Sequence, residues 1–238
     1  MKAFFSTIIL FSISFGSLNA QVLKNIINTV TNKSAGTDVS SSDISEGLKQ
    51  ALQVGTERGL QKLSSVDGFF ANAAIKILMP EEAKKAEQKL RTLGFGSQVD
   101  NAVLAMNRAA EDAAKSAAPV FINAIKQMTI QDAVGILKGG DFAATGYLKS
   151  KTTTELTSAF RPIIEESLNK VNATKYWNTI FSTYNKFSFN KINPDLSAYV
   201  TDKALSGIFY QLGLEEQNIR KDPAARTTEL LKKVFSIK

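Results

Sequence analysis

The chain has 238 residues, with 29 Lys and Arg against 22 Asp and Glu, a formal charge of +7, and neither cysteine nor histidine. Those two absences exclude disulfides, a lipidated N-terminal cysteine, Ser-His-Asp and Cys-His nucleophile systems, and ordinary zinc sites. The positive balance favours anionic surfaces such as lipid headgroups or acidic glycans, or serves solubility alone.

Residues 1–20 read as a secretory signal peptide: Lys2, then an apolar stretch from Ala3 to Phe15, then small or polar residues to Ala20. The apolar stretch is shorter than the roughly 20 residues of a membrane span. Cleavage is expected after Ala20, although Leu18 replaces the usual small residue, and an uncleaved anchor is the alternative. The expected protein is exported, periplasmic or extracellular, with no later transmembrane span. Residues 21–42 form an N-terminal arm. Val22, Ile26, Ile27 and Val30 give it a weak helical stripe, and Ser34 to Ser42 a flexible linker. Residues 43–238 are assigned to one domain.

Asp43 and Glu46 have capping-box spacing and open the first helix of that domain. Its stripe includes Ile44, Leu48, Leu52, Leu60 and Leu63, with Gly55 and Gly59 placed for close packing against another helix. Val66 to Met79 reads as a buried connector, with a membrane-dipping loop as the alternative, and Ile75 to Leu78 could form a short strand. Pro80, Glu81 and Glu82 start a helix that stops at Gly94. Ser97 with Asp100 caps a long Ala-rich helix through Val99, Val103, Met106, Ala110, Ala113 and Val120, which Pro119 kinks or splits. Arg108 with Asp112, and Glu111 with Lys115, are i,i+4 pairs assigned to its wet face.

Thr129 and Asp132 cap a short helix ending at Gly139-Gly140, and Asp141 caps the next. Thr152 and Glu155 read as another capping box, ahead of Leu156, Phe160, Ile163, Ile164 and Leu168. Asn172 starts a segment bearing Trp177, Ile180, Phe181 and Tyr184. Asn193-Pro194 opens a helix through Leu196, Val200, Ala204, Ile208 and Leu212, and Asp222-Pro223 opens the last. Agreement of caps and periods along the whole chain predicts an all-α, irregular multi-helix bundle with a short N-terminal helical arm. No fixed-period repeat points to a solenoid.

Several stretches resemble the DUF4197 family of bacterial proteins of unknown function. They include VDGFF at 66–70, AIKILMP at 74–80, MNRAAE at 106–111, MTIQDAVGILKGGDFAATGY at 128–147 and ATKYWN at 173–178. NPDLSAYVTDKAL at 193–205 and IRKDPAARTTELLKKVF at 219–235 complete the likeness, which runs roughly from Ile44 to Phe235. The resemblance implies an exported or envelope-associated helical protein. It implies no catalytic residue, ligand or partner.

Two local features are candidate ligand sites. In Lys138-Gly139-Gly140-Asp141 the glycines free the backbone, and the following helix offers unpaired N–H groups that could hold an anion. Asp141 would compete for those groups, and a tight helix–helix turn is the plainer reading. Tyr176, Trp177 and Tyr184 fall within an aromatic segment interleaved with lysines, read as core with a share in lining a pocket. The basic C-terminus, from Arg220 onward, reads as a solvated face. Asp141, Glu155 and Asp195 are the carboxylates weighed for glycosidase-like chemistry, and capping roles or helix starts weigh against them. No motif calls for a metal, a cofactor or nucleic acid. The leading expectation is a non-enzymatic exported protein that binds an amphiphilic ligand or anionic envelope component. A structural or assembly protein acting through helix contacts comes next, and a carboxylate-dependent glycan-active enzyme third. The sequence sets no oligomeric state.

Overall fold

The computed structural model describes residues 40–187, 191, 195–222 and 232. Within them the α-helices are α1 (Ser41–Ser64), α2 (Lys84–Thr92), α3 (Gly96–Ala114), α4 (Ala117–Lys126), α5 (Ile130–Lys138), α6 (Ala143–Lys170), α7 (Ala173–Phe187) and α8 (Leu196–Lys221). A single 3-10 turn, Glu81–Ala83, precedes α2. The fold is all-α, and the described residues contain no strand. No helix among them is long and apolar enough to cross a membrane. The arm at 21–39, the Asn193-Pro194 start and the helix expected after Asp222 lie outside the described residues.

Local chemistry sets the helix ends. Ser40, not Asp43, caps α1: its hydroxyl accepts from the Asp43 N–H at 3.1 Å, and the Asp43 carboxylate accepts from the Ser40 N–H at 3.0 Å. The box therefore sits three residues earlier than expected, with Asp43 as its closing member. Thr129 and Asp132 form the expected box on α5. The Thr129 hydroxyl and N–H hold the Asp132 carboxyl below its ordinary range. Ser97 does not cap α3, because its hydroxyl turns to Gln98 and Phe95 holds the cap position without a side-chain bond. Asp100 pairs instead with Arg91 at 2.8 Å.

Pro119 splits the Ala-rich run. It is the third residue of α4, and its ring cannot share a helical turn with the carbonyl four residues back, at Lys115. The chain accordingly breaks at Lys115-Ser116. The Thr152–Glu155 capping box does not form. The Thr152 hydroxyl is wholly buried and bonds back to the Leu148 carbonyl at 2.7 Å, so two expected helices run on as α6, 28 residues long. Asn172 then turns the chain into α7 with φ 56°, a left-handed value that asparagine tolerates.

The core forms around α6 and α8, which pack on each other and on α1 and α3–α5. Leu156, Phe160, Ile164 and Leu168 recur every four residues along α6 and are completely buried. Phe121 of α4 meets Phe209 of α8 edge to face, with centroids 6.0 Å apart. At the expected close contact, a Cβ on Gly55 would lie 3.3 Å from Ile219, and one on Gly59 3.2 Å from Leu212. The α1–α8 seam also buries Glu215, which accepts from Lys62 at 2.5 Å and from Gln211 at 3.1 Å.

The connector at 65–80 is neither strand nor fully buried. Val66 and Leu78 face solvent, whereas Phe69, Ile75 and Ile77 enter the core. Glu111 explains the anchoring. It is buried rather than on the wet face, and its carboxylate accepts from the Phe69 and Phe70 N–H groups at 3.1 and 3.2 Å. Arg108 pairs with it at 2.6 Å and with Asp67 at 2.7 Å, while Lys115 pairs with Asp112, so the ion pairs are i,i+3 rather than i,i+4. Asn107 also holds the connector: its side-chain oxygen accepts from the Ile77 N–H and its amide donates to the Ile77 carbonyl, both at 2.8 Å.

Candidate functional site

Two neighbouring cavities open where α7 leaves the core. The first, of about 820 Å³, lies between the connector and α8. Its wall carries Lys76, Glu81, Glu82, Lys191, Lys203, Ser206 and Tyr210, beside the apolar Ile75, Ile77 and Leu78. The second, of about 560 Å³, lies between α2, α3 and α7. Its wall is mostly apolar: Ala83, Leu90, Phe95, Val99, Ala102, Met106, Val171, Phe181 and Leu196. Met79 and Trp177 line both. Such volumes match those of small-molecule sites.

The placing of α2 bounds the hollow. α2 buries none of its residues, and it contributes Glu87 and Leu90 to the cavity wall, opposite Val99, Ala102 and Met106 of α3. Trp177 is buried and tilts against Phe181, with centroids 4.3 Å apart. The hydroxyl of Thr174, one turn earlier, is buried without a hydrogen-bond partner.

Tyr199 joins the polar cavity to the connector. Its phenol donates to the Leu78 carbonyl at 2.9 Å. Burial, reinforced by Glu82, Glu81 and Asp202, pushes that phenol up to about 12. It is therefore a neutral donor at any physiological pH. Lys76 lies 3.8 Å from the centroid of the Phe70 ring. The three lysines of this wall face two glutamates, which leaves it weakly positive.

The Lys138–Asp141 loop lines neither cavity. Gly139 has φ −74°, an ordinary value, so dihedral freedom is not its role. Its role is steric, since a Cβ there would come within 2.5 Å of Ala143 Cβ. Asp141 does not cap α6; it pairs with Lys221 at 3.0 Å. The first N–H groups of α6 are taken from afar. Glu216 of α8 accepts from the Ala144 and Thr145 N–H groups at 3.0 and 2.8 Å. Arg220 pairs with Glu216 at 2.8 Å and donates to the Ile136 carbonyl at the end of α5, also at 2.8 Å. An acid thus meets the positive end of one helix and a base the negative end of another. No local sequence signal announces this pair, because its partners lie more than 70 residues away.

Trp177 sits between the cavities, while the side chains of Tyr176 and Tyr184 lie outside the described residues. Of the carboxylates weighed for catalysis, Asp195 caps α8 through the Ala198 N–H and pairs with Arg161. Burial pushes its carboxyl up, but those two partners outweigh it and hold the carboxyl below its ordinary range. Glu155 is exposed on α6. Among the described residues, no three carboxylates converge as a metal site would need.

The family model of DUF4197, a protein of unknown function, matches residues 38–236. This chain belongs to the DUF4197 family. The DUF4197 match contains every helix described above and both cavities. No curated protein and no solved structure matches the chain significantly.

Proposed function

We propose that this DUF4197 protein is an exported, non-enzymatic carrier or receptor for an amphiphile with one acyl-like chain. One observation carries the reading: an apolar cavity and a charged one share Met79 and Trp177 in their walls. The tail would enter between α2, α3 and α7. The head would lie against Lys76, Lys191 and Lys203, with the neutral Tyr199 hydroxyl nearby. Export rests on the apolar segment from Ala3 to Phe15.

The assembly reading has less support, because Gly55 and Gly59 already spend their close-packing surface on α8. The glycan-active reading is weakened by Asp141 and Asp195, which are committed to Lys221, Arg161 and a helix cap.

Trp177 is the only tryptophan, so its fluorescence reports on the shared wall alone. A single-chain amphiphile brominated along its tail should quench it saturably, at one molecule per chain. Native mass spectrometry of protein from the producing cells should show a matching excess mass, extractable into organic solvent. Absence of both signals would sink the proposal.

A further inference from the structure

The apolar cavity is long rather than round. α2 and α3 form a hairpin that turns at Gly94, with φ 90°, and Arg91 pairs with Asp100 across it at 2.8 Å. Each arm gives the cavity one stripe. Met79, Ala83, Glu87 and Leu90 recur every three or four residues along the first arm and the connector before it. Phe95, Val99, Ala102 and Met106 do the same along the second. The two stripes run in opposite directions along one wall. From Phe95 to Met106 the helical rise makes that wall about 16 Å long.

The two ends of the wall differ. Asn107 binds both backbone groups of Ile77, so Met79, two residues on, lies at the Met106 end. Met106 and Ala83 are each 1% exposed, and this buried end adjoins the polar cavity through Met79 and Trp177. Phe95 is 48% exposed, so the other end runs out into solvent.

The lining restricts what can lie there. Trp177 apart, its buried side chains carry no nitrogen or oxygen, and a polar occupant would lose its hydrogen bonds. An extended chain advances about 1.2 Å per bond, so about 13 methylenes span the wall. At about the volume of a water molecule each, they fill roughly 390 Å³ of the cavity's 560 Å³. A second chain alongside would not fit.

We propose that the stripe from Met106 to Phe95 is a ruler open at one end, which selects single straight alkyl chains by their first dozen or so carbons and ignores the remainder. The inference rests on the amphiphile reading above and adds to it the length of the tail and the residue, Phe95, that sets where the count stops. Hydrocarbon gains affinity for as long as it lies against the wall, and gains nothing once it passes Phe95 into water.

The probes are saturated fatty acids from about 8 to about 18 carbons, each kept below its micelle concentration and titrated into the full chain, with binding read from the fluorescence of Trp177. Affinity should rise about fourfold with each added methylene. It should level off at about 14 carbons, carboxyl included. Phe95→Ala, at an exposed site, cuts the wall back to Val99. It should move the levelling point down to about 10 carbons and leave the shortest acid unchanged. A rise that continues unbroken to the longest acid, a levelling point that Phe95→Ala does not move, or a sharp loss of binding beyond about 14 carbons would each overturn the ruler and leave the amphiphile reading standing. Failure of every acid to bind would overturn both.

Discussion

Along the α1–α8 seam, Gly55 and Gly59 let two helices touch, and Glu215 is buried with Lys62 and Gln211 as its partners. Around α7, by contrast, a lone tryptophan stands between two cavities, and α2 buries nothing. Both regions belong to one bundle and share α8 as a wall. What differs is how closely the helices approach. Glycines opposite large side chains close the seam, whereas α2 stays on the surface and leaves the corner by α7 open. Dense packing supplies stability, and its local failure leaves the room that the proposed amphiphile would fill.

Four substitutions sharpen that contrast. The largest loss is expected from Glu216→Ala on the packed side. It removes the Glu216 carboxylate from Arg220 and leaves the Ala144 and Thr145 N–H groups without that acceptor, which should cost about 3–5 kcal/mol in urea unfolding. Gly59→Val should cost about 1–3 kcal/mol, because Leu212 and Gln211 already crowd that position. If it were neutral, the seam would be looser than described.

Tyr199→Phe should cost about 1 kcal/mol through the bond lost to Leu78. It also carries a pH signature. In the folded chain the phenol is raised from 10.0 to about 12, so its stabilising share is complete below pH 10 and lost as pH rises toward 12. The variant should show a shallower fall in stability across that alkaline window, and an identical slope would remove Tyr199 from the account. The smallest change in stability is expected from Ala102→Leu, which grows into the apolar cavity rather than into packed atoms. Its unfolding midpoint should stay within about 1 kcal/mol of the parent, while quenching of Trp177 by a brominated amphiphile is lost. A large destabilisation there would mean that the corner is not open, and the contrast between the two regions would collapse.

Much of the fold is legible from short-range signals. The Thr129–Asp132 box is there to be read because both partners lie within four residues. Pro119 announces the split of the Ala-rich run through its ring alone. Ser40 and Thr152 show the limit of such reading. A hydroxyl can cap a helix or bond back to its own preceding turn, and only the path of the chain decides between them. Glu111 resembled any surface acid three or four residues from a base. Its burial depends on the Phe69 and Phe70 N–H groups, about 40 residues away. The hollow beside Trp177 was legible only in part. Aromatic spacing marks a residue for the core, but where the core runs short depends on how α2, α3 and α7 come to face one another.

The pinning of Ile77 also bears on contacts between copies of the chain at high concentration. Ile75 to Leu78 is apolar apart from Lys76, and pairing of such a stretch with another chain needs a free edge of backbone groups. Asn107 occupies both backbone groups of Ile77 in the manner of an adjoining strand, and Tyr199 takes the Leu78 carbonyl. Two side chains thus occupy three backbone groups of a stretch outside the helices, which withholds those groups from pairing with another chain.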